Sequence, residues 1–395
     1  MKHPLTGKGG ELMTVFSFRS RRIVPVRKCI AACMACAFLT GCWDSKEIDK
    51  LSIIQGVAID TNQDMLELTY QHLIAQKSQK NTYTNVTTLN KDSIQAASRD
   101  QAKLVSRSPL YNFIRIVLIS DQALEHTRID QLLDTFTRSY KPSRKSLVMI
   151  VKGNAKEALN MLGKHKEMPS IDLEELADNS AFNSKIPRKI RFGEISIHIS
   201  QGTDFIIQRL ETNEDNHLSG AALVSGKTKR FAGWVNEAEV TGINWIQGRS
   251  KGSIIKVEDP KTQQHMVFEV EDVHSKLIPR VNGKDLSFTV RIKTDIKLNE
   301  TSVISAELLK EPFIRSAKET VEDEIRRMAL QSLNKLQKEL RADVAGFGTK
   351  VKVNYPAYWD QVKDKWQDTF SEIPVNVQVK VQIERTGAYT KGAGA

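Results

Sequence analysis

Cysteine is scarce in this sequence and is confined to a short stretch near its beginning. The four cysteines among 395 residues are Cys29, Cys33, Cys36 and Cys42. The first three have spacings at which thiolates can converge on a metal ion or an iron–sulfur cluster. A chain processed at Cys42 would keep no second thiol, and this excludes an internal disulfide from the mature protein.

Long hydrophobic runs are also lacking, which excludes a polytopic membrane protein. One apolar run covers residues 29–39 and directly follows Arg27 and Lys28. As a helix it would be ~16 Å long, about half of the ~30 Å hydrocarbon core of a bilayer. A basic segment followed by a run of this length is typical of a signal peptide. We therefore interpret the first three cysteines as part of a signal peptide rather than as a metal site.

Acidic residues are fewer than basic residues, and the net charge is +11. Residues 1–41 hold seven basic residues and one acidic residue, so they account for +6 of that charge. The remaining charges are interspersed in sign, and aromatic residues make up only 7% of the chain. Without a basic stripe or a row of stacking aromatics, the sequence predicts no nucleic-acid binding.

The tetrapeptide after the apolar run predicts a lipid attachment site. Leu39, Thr40, Gly41 and Cys42 form the pattern recognised by the bacterial lipoprotein signal peptidase, with small residues before the cysteine. We expect cleavage after Gly41 and modification of Cys42 with an S-diacylglyceryl group and an N-palmitoyl group. Two or three long acyl chains hold a protein firmly on a bilayer. The predicted signal peptide is residues 1–41; a start at Met13 would give a shorter leader, and that alternative stays open.

Catalytic motifs are missing as well. The sequence has no H-E-x-x-H and no G-x-S-x-G, and its eight histidines are scattered. The segment 220–228 resembles a phosphate-binding loop, but five residues instead of four separate its first glycine from Gly226, Lys227 and Thr228. We therefore predict that the protein is not an enzyme and has no catalytic residue, cofactor or metal site.

Residues 43–168 are predicted to form an N-terminal α/β domain, and residues 169–212 a linker or bridging segment. Alternating strands and helices in the first segment indicate a sheet covered by helices. Its predicted strands are 51–59, 65–74, 113–119 and 147–151, and its predicted helices are 93–106, 129–139 and 155–162.

Residues 213–395 are predicted to form a C-terminal α+β domain, with a division near residue 300 as an alternative. We predict short strands or turns at 220–224, 231–234 and 243–246, and longer strands at 252–257, 265–270, 272–281 and 285–298. The apolar spacing of 312–344 and 356–370 predicts two helices, and strict alternation over 375–383 predicts a half-buried strand. The overall prediction is a multidomain α+β protein with mixed sheets covered by helices, in which the C-terminal domain consists of an antiparallel sheet plus two long helices.

Three local features have more than one interpretation. Trp359, Trp366 and Phe370 share a helical stripe, which favours a core face over a ligand-stacking patch. Residues 346–348 are interpreted as a helix stop rather than a partner-binding loop. The basic loop containing Lys141, Arg144 and Lys145 is interpreted as a solvated turn, with contact to anionic lipid headgroups as the alternative.

Several segments together resemble a known family. Residues 42–60, 220–255, 342–370 and 375–387 carry the similarity, in the expected order and over nearly the whole mature chain. They resemble the Ger(x)C family, the lipoprotein C subunits of nutrient germinant receptors in spore-forming bacteria. One departure is residues 137–146, which contain no acidic residue where relatives tend to have one.

The resemblance implies a function and a location. It implies a non-catalytic subunit needed for spore germination, held by its lipid on the outer surface of the spore inner membrane. Its implied partners are the membrane-spanning A and B subunits of the receptor. The alternative is a lipid-anchored solute-binding protein that delivers a nutrient to a transporter, but the two halves of the chain have dissimilar patterns, unlike the two similar lobes of such proteins.

Overall fold

The structure is a computed structural model that describes residues 50–62, 65–74, 83–91, 93–101, 103–136, 138, 143–161, 168–213, 215–259, 263, 265–301 and 311–384. The predicted signal peptide and its lipid attachment site at Cys42 lie outside the described residues, as does Lys141. Residues 48–395 form one compact unit. No described helix is both long and apolar enough to cross a membrane.

The first sheet contains ten strands. They are β1 (Leu51–Asn62), β2 (Met65–Ile74), β3 (Tyr83–Lys91), β4 (Ser108–Leu110), β5 (Ile116–Ser120), β6 (Leu147–Lys152), β7 (Ile190–Arg191), β8 (Phe205–Thr212), β9 (Asn216–Val224) and β10 (Phe231–Val235). Their main order is β10-β9-β8-β6-β5-β1-β2-β3, with β4 paired to β1 and β7 paired to β6. Strands β4 and β5 run parallel to β1, and β6 runs parallel to β5 and β8.

Helices cover the central parallel strands on both faces. They are α1 (Ile94–Gln101), α2 (Asp121–His126), α3 (Ile129–Thr135), α4 (Ala155–Asn160), α5 (Pro169–Asp178) and α6 (Phe192–Gln201). Because both faces are covered, β5 is buried at every position and reads as a continuous apolar run. Ser120 and Asn154 cap α2 and α4 by accepting backbone N–H bonds from Ala123 at 3.2 Å and Glu157 at 3.1 Å.

The second sheet is smaller and one-sided. It consists of β11 (Ile254–Glu258), β12 (His265–Asn282), β13 (Asp285–Thr301) and β14 (Val375–Glu384), in that order. Gly283 turns the β12–β13 hairpin with a φ of 62°, and β14 pairs in parallel with β13. Along β14 buried and solvent-facing residues alternate, as its sequence predicts.

Five helices belong to the described residues of the C-terminal part. They are α7 (Glu237–Gln247), α8 (Glu311–Asn334), α9 (Phe347–Asn354), α10 (Pro356–Val362) and α11 (Trp366–Glu372), and a π-helical turn at Lys335–Glu339 continues α8. Apolar residues of α8, among them Val321 and Ile325, are fully buried in the same hydrophobic cluster as residues of the second sheet.

Strand β9 connects the two halves of the molecule. Ala222 and Val224 belong to the hydrophobic cluster of the first sheet, whereas Ala221 and Leu223 belong to the cluster that includes the second sheet. Successive side chains of a strand point to opposite faces, so one strand contributes to both cores. Strands β9 and β10 thus extend the first sheet past residue 213, and β8, from the predicted bridging segment 169–212, lies inside that sheet. The division into domains remains a prediction.

The α+β class with mixed sheets is confirmed, but several local predictions are wrong. Residues 243–246 are helical, because Asn236 and Glu239 form a capping box that begins α7. Gly346 does not end a helix; it precedes α9, with a φ of 89°. The predicted helix 93–106 ends at Gln101, and the predicted strand 113–119 begins only at Ile116. Consequently Leu104 and Phe113 are exposed by 58% and 57%.

The close packing of α7 against α8 at Gly242 leads to a first prediction. A Cβ atom at Gly242 would lie 2.1 Å from Ser332 Oγ and 2.2 Å from the Met328 carbonyl oxygen. We expect Gly242→Ala to lower the free energy of unfolding by about 2 kcal/mol, as overpacking does. Chemical denaturation measures this change. Helix propensity alone would favour Ala by about 1 kcal/mol, and Ala238→Gly on the exposed side of α7 calibrates that effect. A Gly242→Ala variant as stable as the parent would contradict the close packing.

Candidate functional site

A cleft of about 870 Å³ lies between the first sheet and the C-terminal helices. One wall is formed by the end of α6 and the beginning of β8, and the other by the loop before α9 together with α9, α10 and α11. Residues that line it include Thr203, Asp204, Asp343, Trp359 and Trp366. This is the candidate functional site because it combines buried carboxylates, half-buried tryptophans and a basic rim.

Asp343 organises one wall of the cleft. Its Oδ1 accepts backbone N–H bonds from Gly346 at 2.8 Å and Phe347 at 2.9 Å, and its Oδ2 accepts one from Gly348 at 2.6 Å. The indole Nε1 of Trp366 also donates to Oδ2, at 3.1 Å. Burial raises the pKa of Asp343, and the three backbone donors and the indole oppose that rise. The carboxylate therefore fixes both the start of α9 and the position of Trp366.

Asp204 joins this wall to the first sheet. Its Oδ2 accepts the backbone N–H of Asp343 at 3.0 Å, and its Oδ1 accepts that of Gly226 at 3.0 Å. Burial raises the pKa of Asp204 to about 6, while the two backbone donors lower it and the charge of Asp343 raises it further. Residues 139 positions apart in the chain are thus held together by one side chain.

The tryptophans provide an aromatic surface at the cleft. The ring centroids of Trp359 and Trp366 are 5.2 Å apart, and both rings are half-buried, whereas Phe370 is fully buried. A Cβ atom at Gly348 would lie 2.8 Å from Trp366 Nε1 and 3.0 Å from Trp359 Cζ3, so glycine is needed for the rings to approach the backbone. Of the three residues in the predicted core stripe, Phe370 is in the core, whereas Trp359 and Trp366 face the cleft.

The rim of the cleft is basic. Lys227 donates through Nζ to the Asp364 carbonyl oxygen at 2.8 Å, across the cleft. His198 stacks on Phe205 with ring centroids 5.1 Å apart, and burial lowers its pKa. Other cations of the rim are Arg188, Arg249, Lys352, Lys363 and Lys365. Asp204 and Asp343 are occupied by backbone N–H groups, and the exposed carboxylates Asp364 and Asp368 are outnumbered by these cations, so the accessible charge is mostly positive.

The arrangement suits binding more than chemistry. Indole rings offer large contact areas, and flexible cations select acidic groups. Among the residues the structure describes, no group of three His, Cys, Asp or Glu side chains is placed to hold a metal ion. The segment resembling a phosphate loop forms the β9–β10 turn, and the Gly226 N–H donates to Asp204.

The two aspartates that organise the cleft are absent from the sequence-based list of site residues. Asp343 precedes Gly346 and Gly348 by three and five positions, a spacing in which a carboxylate can accept N–H bonds at a helix start. This spacing could have predicted the role of Asp343 from the sequence. No local pattern could have predicted the role of Asp204, because its partner Asp343 belongs to a remote segment.

Comparisons with known proteins place the chain in a family. Residues 44–212 match the family described as "Spore germination protein N-terminal domain", and residues 219–387 match "Spore germination B3/ GerAC like, C-terminal". Over 400 residues the chain is 32% identical to "Spore germination protein YndF" of Bacillus subtilis (strain 168), covering 93% of this chain and 98% of the relative. The chain belongs to the GerAC-like family of spore germination proteins.

Further similarities agree with this assignment and confirm the resemblance to the Ger(x)C family. "Spore germination protein B3" of Bacillus subtilis (strain 168) is 27% identical over 364 residues, covering 89% of this chain and 96% of the relative. The structure titled "Crystal Structure of the GerBC protein" superposes with a TM-score of 0.59 at 22% identity, covering 86% of this chain and all of that one. That likeness supports the fold alone. Membership in this family gives the protein a role in spore germination.

The Asp343 network predicts a large effect of a single substitution. We expect Asp343→Ala to lower the free energy of unfolding by about 3 kcal/mol, because it leaves buried N–H donors without an acceptor. Hydrogen exchange at the amides of residues 346–348 should accelerate with it. Asp364→Ala, which removes an exposed carboxyl group at the same cleft, is the matched control. Equal stability of the two variants would contradict the role given to Asp343.

The raised pKa of Asp204 predicts a pH dependence. The unfolded carboxyl group has a pKa of about 3.9, so between about pH 4 and pH 6 the folded chain binds a proton that the unfolded chain does not. This contribution to stability is complete below the unfolded pKa and is lost as the pH rises through about 6. We expect the stability of the parent, relative to Asp204→Asn, to rise by about 1 kcal/mol from pH 7 to pH 5. Denaturation curves at both pH values test this, and a constant difference would refute it.

Proposed function

We propose that this chain is the lipoprotein C subunit of a nutrient germinant receptor, acting through non-catalytic contacts with membrane-spanning A and B subunits. In this proposal Cys42 carries the lipid and holds the protein on the outer surface of the spore inner membrane. The observation that carries it is the succession of Leu39, Thr40, Gly41 and Cys42 directly before a chain that matches the germination family from residue 44 onward.

The position of the described fold supports such a tether. Eight residues separate Cys42 from Leu51, where β1 begins. A chain of this length spans at most about 30 Å even when fully extended. A lipid at Cys42 would therefore keep the folded unit close to the bilayer and within reach of membrane-spanning neighbours.

The cleft supports a role in binding a protein segment. Its two half-buried indoles and the two arginines of its rim, Arg188 and Arg249, are of the residue types enriched at protein interfaces. We propose that an acidic, partly apolar segment of an A or B subunit binds there. The carboxylates that organise the cleft would not contact that segment directly, since backbone groups already occupy them.

The lipid attachment is tested with a pair of cysteine variants. We expect mass spectrometry of the processed chain to find an N-terminal Cys42 with diacylglyceryl and N-acyl groups. Cys42→Ala should remain unprocessed and lose nutrient-triggered germination, whereas Cys36→Ala, within the apolar run, should be processed normally. An unmodified thiol at Cys42 in the stable protein would contradict the tether.

The partnership is tested by purification from detergent-solubilised spore membranes. The proposal requires two polytopic proteins to co-purify with the tagged chain. The alternative, a solute-binding protein, requires the fragment 43–395 to bind an amino acid or a sugar unaided. Micromolar binding in calorimetry together with no polytopic partner would favour that alternative.

A further inference from the structure

The topology of the first sheet collects basic residues at one edge. Strands β1, β4, β5 and β6 are mutually parallel, so the residues before each of them lie at the same edge of the sheet. These residues are Lys50, 103–107, 111–115 and 143–146, and we call them the basic edge. They contain Lys50, Lys103, Arg107, Arg115, Arg144 and Lys145, and no Asp or Glu.

Contacts within the basic edge hold its segments together. Ser146 Oγ donates to the Ile114 carbonyl oxygen at 2.6 Å, and the Leu147 N–H donates to that of Arg115 at 2.7 Å. The Arg115 N–H in turn donates to the Gln55 carbonyl oxygen at 2.8 Å. The segments that carry Arg115, Arg144 and Lys145 are therefore joined to each other, and Arg115 is also bonded to β1.

Part of this charge is uncompensated. Lys103 pairs with Asp100 at 2.7 Å, and Arg115 pairs with Glu174 at 2.8 Å. By contrast, Arg144 and Lys145 are exposed, and no carboxylate of the described chain lies within ion-pair distance of either. The opposite edge of the same sheet carries acidic groups, namely Asp60, Glu67, Asp121 and Glu211, beside Lys152 and Lys156.

Two large apolar side chains are exposed among these cations. Leu104 and Phe113 are 58% and 57% exposed, although Ile114, next to Phe113, is buried. Exposed leucine and aromatic residues beside Lys and Arg are the composition of surfaces that lie in the headgroup region of a bilayer.

We propose that the basic edge is the face that rests on the membrane, with Arg144 and Lys145 against anionic headgroups and Leu104 and Phe113 entering the interface. The proposal builds on the lipid attachment at Cys42 given above. The tether enters at this edge, because Lys50 directly precedes β1 and is itself part of it. A chain tethered within about 30 Å brings this edge to the surface before the acidic one.

The test uses the fragment 43–395, which contains every described strand and helix. Binding is measured by cosedimentation with vesicles of phosphatidylcholine, with and without phosphatidylglycerol, at low salt. We expect binding only to the anionic vesicles, and its loss at high salt. Arg144→Gln together with Lys145→Gln should weaken it by about 25-fold, at about fivefold for each cation near the surface.

The matched control replaces the same two residue types elsewhere. Arg280→Gln together with Lys284→Gln removes one exposed arginine and one exposed lysine at the β12–β13 hairpin, on the other sheet. We expect less than about a twofold change for this pair, since those cations lie away from the surface. Circular dichroism confirms that both variants keep their fold. An equal loss from both pairs, or no binding of the parent to anionic vesicles, would overturn the proposal.

Orientation is measured with single labels, since residues 43–395 contain no cysteine. An environment-sensitive fluorophore at Phe113→Cys should shift to the blue on anionic vesicles. The same label at Met65→Cys, exposed by 44% at the acidic edge, should not shift. Equal shifts at both positions would also overturn the proposal. Failure of the Cys42 modification is seen separately, in the mass of the processed chain, and leaves the vesicle results unaffected.

Discussion

The structure depends on how two buried carboxyl groups are satisfied. Asp204 and Asp343 are removed from water, and a charge in that position is stable only with hydrogen-bond donors around it. Backbone N–H groups of residues 226, 343, 346, 347 and 348 supply those donors. One donor lies in the β9–β10 turn of the first sheet, and the others lie in the loop before α9 and at its start. The hydrogen bonds to the two carboxyl groups therefore fix the first sheet against the C-terminal helices. The cleft and its tryptophans exist in their present geometry for this reason.

The same connection limits how the two halves can move. Strand β9 contributes alternate side chains to two hydrophobic clusters, so separating the halves would expose both. A solute receptor that closes on its ligand has a hinge between two similar lobes. A strand shared by two hydrophobic clusters does not provide such a hinge. A conformational change would therefore move the described unit as one body rather than open it along β9.

Sequence patterns predicted the elements that are determined by residues close together in the chain. The alternation of β14 follows from a few consecutive residues, and the strand occurs as predicted. The short apolar run 243–246 was ambiguous, because four residues fit a strand as well as a buried helix, and the capping box that decides it lies earlier. Asp204 could not be predicted, since its role depends on a backbone group 139 residues away. Leu104 and Phe113 lie within a predicted helix and a predicted strand, but neither belongs to the element that forms, and both side chains are on the surface. An apolar side chain need not be buried.

The distribution of charge shows what topology adds to composition. Along the sequence, positive and negative residues after position 41 alternate closely enough to suggest no preferred face. In a parallel arrangement, however, residues that precede strands and residues that follow them go to opposite edges. Basic residues at strand starts, such as Arg115 and Lys145, are thereby separated from acidic residues at strand ends, such as Asp60 and Asp121. A nearly balanced body thus acquires a basic side at the edge where β1 begins, and the proposed lipid at Cys42 would hold that same edge against an anionic surface.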